Sequence, residues 1–166
     1  MLSQLFNKSV LIFGCGNILW GDDGFGPAVI QALTERYQLP DGVLALDVGT
    51  GIRDILFDLT LSDQKPKKIF IIDAVEYPDH QPGEVFEIPV EGIPAHKTSD
   101  FSLHQFPTVN LLHELKEYSQ IDIKILVAQI EAIPEEVQPG LSPIMTRAID
   151  TACQRLLADL QEYKPG

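Results

Sequence analysis

The chain has 166 residues, 45% of them hydrophobic, enough to bury a core and too few for two ordinary domains, so residues 1–166 read as one domain. Twenty-four acidic against twelve basic side chains leave a formal net charge of -12, a field that repels phosphate backbones and anionic lipid and argues against nucleic-acid and membrane partners. Two cysteines, Cys15 and Cys153, form neither a CxxC pair nor a secretory spacing, and the start MLSQLFNKSVLIFGCG shows no basic head, long apolar run or cleavage site. A cytoplasmic chain follows as the expectation, and a monomer, since no long exposed apolar stripe is evident.

In chain order, VLIF before Gly14 predicts a buried strand. GPAVIQALTERYQ sets Val29, Ile30, Leu33 and Tyr37 at helical spacing. VLALDV, 43–48, predicts a second strand, and IRDILFDLTL a helix with Ile52, Ile55, Leu56 and Leu59 on one face. KIFIIDAV follows Pro66 as a third strand. This βαβαβ start, with strands apolar throughout, predicts an open parallel sheet covered on both faces.

PGEVFEIPV predicts a further strand that Pro89 places at an edge. Residues 92–102 read as loop and 103–118 as a helix, with Pro107 tolerable only in its first turn. IKILVAQI is another buried strand, IPEEVQPGLSP a loop, and PIMTRAIDTACQRLLADL a helix in which Ile149, Cys153, Leu156 and Leu160 share a face. The fold class expected is α/β: a three-layer, open, twisted, mostly parallel sheet with helices on both faces.

The most informative stretch is Gly14–Gly26, GCGNILWGDDGFG, with five glycines in thirteen residues. A dinucleotide fingerprint requires a third glycine where Leu19 stands, and a Walker loop requires a lysine followed by Ser or Thr. The adjacent carboxylates of Asp22 and Asp23 would repel a pyrophosphate. A loop that carries carboxylates past the end of a first strand fits a cation better. Asp73, ending the third strand, and His104, at a helix start, lie at the same expected sheet edge, and two carboxylates with one imidazole suit a borderline divalent ion with open positions.

From the residues alone, other readings stay open. Asp22 and Asp23 read equally as turn residues capping the helix that begins near Phe25. Asp73 reads as a solvated strand end, and His104 as a histidine satisfied by backbone groups. Cys15 with His104 offers a thiol-protease pair. His80, His96 and His113 share no ligand spacing, and Gly14, Gly16, Gly49 and Gly51 read as backbone positions open to a close-approaching substrate tail.

GNILWGDDGFGPAVIQAL, LDVGTG, IIDAV, SLHQFPTVNLL and IPEEVQPGLSP, in this order between about Val10 and Leu157, resemble the hydrogenase maturation proteases. SLHQFPTVN resembles the branch associated with coenzyme F420-reducing hydrogenases. The resemblance implies a metal-dependent endopeptidase that removes a C-terminal peptide from the nickel-loaded large-subunit precursor of a nickel-iron hydrogenase. It implies Asp23, Asp73 and His104 as the metal-contacting and catalytic set; the first position is often glutamate in the family, so Asp23 reaches one methylene less far. The ion implied is nickel presented by the substrate, with zinc or cadmium as other divalent occupants. The competing expectation is a metal-sensing chaperone that binds the same precursor and cleaves nothing.

Overall fold

The computed structural model describes residues 5–92 and 106–162. β1 spans Val10–Cys15, α1 Phe25–Arg36, β2 Val43–Gly49, α2 Ile52–Leu61 and β3 Lys68–Val75. β4 spans Val85–Ile88, α3 Phe106–Ser119, β5 Asp122–Gln129 and α4 Pro143–Glu162. Tight 3-10 turns lie at Gly21–Gly24 and Val90–Gly92.

The strands form one sheet in the order β2-β1-β3-β5-β4. β1 pairs parallel with β2 and β3, and β3 with β5; β4 runs antiparallel to β5 at the edge, where Pro89 places it. β1 is buried throughout and β3 throughout after Lys68, because helices cover both faces and neither strand has a wet side. Val10, Ile12, Phe70, Ile72, Leu126 and Ala128 pack against α1 and α4. The alternate residues Leu11, Phe13, Ile69, Ile71, Ile125 and Val127 pack against α2 and α3. Each such large side chain contributes roughly 1.5–3 kcal/mol on burial.

The helical spacings act as predicted. α1 buries Val29, Ile30 and Leu33, α2 buries Ile52, Leu56 and Leu59, and α4 buries Ile149, Cys153, Leu156 and Leu160. α4 also reaches the edge strand, where the Arg155 guanidinium donates to the Val85 carbonyl at 3.0 Å and lies 3.6 Å from Glu87.

β1, β2, β3 and β5 all point the same way, so the loops that follow them gather at one edge of the sheet. β1 is followed by β2 on one side, and β2 by β3 on the other. The chain therefore reverses its winding direction at β1, and between the carboxyl ends of β1 and β3 it leaves the crevice where open α/β sheets hold ligands.

Candidate functional site

Asp23 reaches this crevice because its loop is pressed onto the end of β1. Gly16 donates its N–H to the Gly49 carbonyl at 2.9 Å and takes a φ of +139°, and a Cβ there would stand 1.9 Å from the Asp23 carbonyl oxygen. The start of α1 is pressed equally close: a Cβ at Gly26 would stand 2.2 Å from the Cys15 carbonyl oxygen and 2.5 Å from that of Ile72. Only glycine permits this approach. The atoms crowding Gly14 and Gly16 thus belong to the chain's own turn and helix, which corrects the expectation that these two positions stand open to a substrate tail.

The Asp23 carboxylate is held from one side. Its Oδ2 accepts the Asn17 N–H at 2.9 Å, while Oδ1 is buried and accepts no hydrogen bond from the described residues. Burial raises the Asp23 pKa above the ordinary aspartate range, and the Asn17 hydrogen bond opposes the rise in part. A buried carboxylate oxygen without a donor is costly unless a cation or a proton meets it.

Asp73 lies within β3, two residues before its end at Val75, and is fully buried, which corrects the expectation that it ends the strand or stands solvated there. It alternates with Ile71 and Val75, on the sheet face covered by α2 and α3, and its Oδ1 accepts the following N–H, of Ala74, at 2.8 Å. β1 and β3 are in register with Gly14 opposite Ile72, and β3 touches the turn Gly21–Gly24. Asp23 thus stands in the turn after β1, and Asp73 within the neighbouring strand β3. His104 lies outside the described residues, two positions before the first residue of α3. Among the described residues no three His, Cys, Asp or Glu side chains cluster as a metal site would require.

Asp22 does not cap α1: Gly24 is the N-cap residue and no side chain bonds to the helix start. The buried Asp22 carboxylate points away instead, and accepts the Ser142 N–H at 2.7 Å, the Ser142 hydroxyl at 3.0 Å and the Glu131 N–H at 3.0 Å. It joins the 3-10 turn to the loop after β5 and to the start of α4. The capping expectation fails because three donors from distant segments outweigh one local cap. The dipeptide Asp22–Asp23 thus divides its work, one carboxylate facing the scaffold and the other the crevice.

The remaining candidates take structural positions. Cys15 and Cys153 are buried, and burial raises the Cys153 pKa, so its thiol stays protonated. His80 stacks on Phe86 with ring centroids 3.7 Å apart and planes 5° from parallel, and lies 3.1 Å from Glu84. His96 lies outside the described residues. Gly49, with φ +54°, has open space where a side chain would stand; it lines a cleft of about 280 Å³ with Asn17, Ile18 and Pro27. An adjoining cleft of about 460 Å³ runs between Ile18, Pro27, Thr34 and Leu141.

Among the described residues no helix is long and apolar enough to cross a membrane. Residues 27–159 match the family model described as hydrogenase maturation protease. The chain is 36% identical to coenzyme F420 hydrogenase subunit delta of Methanothermobacter thermautotrophicus, over 93% of its own length and 96% of that protein's. It is 33% identical to the hydrogenase 2 maturation protease of Escherichia coli, over 92% and 91%. The solved structure of the hydrogenase maturating endopeptidase HybD from E. coli superposes with a TM-score of 0.70 at 31% identity, covering 92% of both chains. The chain belongs to the hydrogenase maturation protease family and is a hydrolase.

Proposed function

We propose that the chain is a nickel-dependent endopeptidase that removes a C-terminal peptide from the nickel-loaded large-subunit precursor of a nickel-iron hydrogenase, with Asp23, Asp73 and His104 as its working set. The observation that carries this reading is the buried Asp23 Oδ1, which lacks a donor among the described residues, in a turn that touches β3, the strand that contains Asp73. Hard and borderline cations satisfy such an oxygen directly. The ion belongs to the substrate, so the cognate precursor is recognised by the charge it brings. Nickel held there supplies Lewis acidity toward the scissile amide and its attacking water.

The chain's own residues bind and orient. The Asn17 N–H fixes one oxygen of Asp23 and leaves the other directed at the crevice, while the buried Asp73 is held by the sheet. Asp23 or Asp73 takes the proton of the attacking water. The two clefts beside Ile18 and Pro27, bordered by Gly24 and Asn17, give the substrate tail a groove next to the Asp23 turn. We place the protein in the cytoplasm, acting as a monomer of one domain.

The test is incubation of the purified chain with nickel-loaded and nickel-free precursor, followed by intact-mass measurement of the large subunit. Loss of a C-terminal peptide from the loaded form alone supports the reading. Binding without a mass change replaces it with the chaperone.

A further inference from the structure

Four large apolar side chains stand exposed on two loops at this same edge: Ile18 and Leu19 after β1, and Ile133 and Val137 after β5, each between 38% and 58% exposed. Exposed apolar residues scattered singly are ordinary, but these are held together. Trp20 and Gln138 form a parallel bridge, in which Gln138 donates its N–H to the Leu19 carbonyl at 2.8 Å and Gly21 donates to the Gln138 carbonyl at 2.9 Å. That pairing sets Leu19 beside Val137. Gly21 lies against the Pro134 ring, where a Cβ would stand 2.8 Å from it, so the segment that carries Ile133 packs on the turn that follows Leu19. The three hydrogen bonds to Asp22 fasten the pair of loops to α4.

We propose that these two loops form a rigid docking platform for the folded body of the hydrogenase precursor, a proposal that rests on the protease reading of the site. Ile18 lines both clefts, one of which is also bordered by Gly24 and the other by Asn17, the two residues adjacent or bonded to Asp23, so a tail lying in the clefts continues into a body lying across the platform. A platform fastened in advance loses little conformational freedom on binding. Segments 16–24 and 131–142 hold Glu131, Glu135 and Glu136 at the surface and no lysine or arginine. The partner surface that fits is therefore apolar at its centre with Lys or Arg at its border, and the charge adds rate and orientation to contacts made by the apolar four.

The test measures the Kd of the chain for immobilised nickel-loaded precursor, and the KM and kcat of peptide release. Ile133→Asp with Val137→Asp is expected to raise Kd and KM at least tenfold with kcat little changed at saturation. Glu135→Lys with Glu136→Lys, which leaves the apolar contacts in place, is expected to raise Kd several-fold at low salt and less at high salt. Leu61→Asp, an exposed position on α2, is expected to change none of these. Unchanged Kd in both platform variants overturns the proposal, as does a dimer of the wild type that Ile133→Asp with Val137→Asp dissolves while Kd stays the same. If the wild type binds and the platform variants weaken binding, but no peptide is released, the protease reading fails and the platform stands. A wild type that does not bind the precursor ends both.

Discussion

Ser142 donates both its backbone N–H and its hydroxyl to the carboxylate of Asp22, a residue 120 positions away, at 2.7 and 3.0 Å. With the Glu131 N–H, three donors among the described residues hold this buried carboxylate. Removing the carboxylate leaves two part-buried backbone donors without this partner. Asp22→Ala is therefore expected to destabilise the protein by about 3 kcal/mol in urea unfolding, and Ser142→Ala by about 1 kcal/mol.

The glycines divide into two kinds. A Cβ at Gly26 meets backbone atoms of β1 and β3, which cannot yield without lifting α1 from the sheet. Gly26→Ala is expected to cost about 3 kcal/mol and to displace Asp23. Gly49 faces open space at a positive φ, so Gly49→Ala is expected to cost about 1 kcal/mol, through backbone strain alone. Paired thermal unfolding curves distinguish the two.

Folding raises the Asp23 pKa through burial, so the folded chain holds that proton more tightly than the unfolded chain does. The stabilisation this provides is complete below the ordinary aspartate value, about 3.9, and is lost as pH rises through the folded value. Asp23→Asn keeps an acceptor for the Asn17 N–H and cannot ionise. In EDTA-treated protein it is expected to unfold at a higher temperature than the wild type at pH 7, with the gap closing toward pH 3. Peptide release is expected to be abolished in the same variant. A wild type more stable than Asp23→Asn at pH 7 contradicts this account of the crevice.

Cys15 is buried on the sheet face covered by α2, with no exposed thiol to attack a substrate. Cys15→Ala is expected to cost about 1–2 kcal/mol from lost packing and to leave the rate of precursor processing unchanged within twofold. A loss of processing with the fold intact would restore the thiol mechanism.

Much of the architecture was legible in the chain because it rests on local periodicity. KIFIIDAV and IKILVAQI could be read as doubly covered strands, the residue spacing of α1, α2 and α4 marked their buried faces, and Pro89 marked β4 as an edge. Strand direction placed Asp23 in the turn after β1, but Asp73, read as ending its strand, lies inside β3 and is fully buried. The role of Asp22 did not, since its three donors come from Glu131 and Ser142, and no spacing within a sequence reports a bond across 109 or 120 residues. Nor did the crowding at Gly14 and Gly16, because a glycine in a loop looks the same whether it admits a ligand or the chain's own backbone. The platform was hidden for a related reason: Ile18, Leu19, Ile133 and Val137 read as ordinary loop residues until the Trp20–Gln138 bridge brings them together.

The Arg155 guanidinium on the Val85 carbonyl bears on how the molecule lives among its copies. An outermost strand with vacant acceptors invites a foreign strand to extend the sheet, the first step of aggregation. On this flank one acceptor is already occupied by a side chain from the last helix, and a newcomer would have to displace a charged, branched group before it could pair. Replacing Arg155 would thus do more than remove a surface charge: it would leave the sheet open to templated growth along β4.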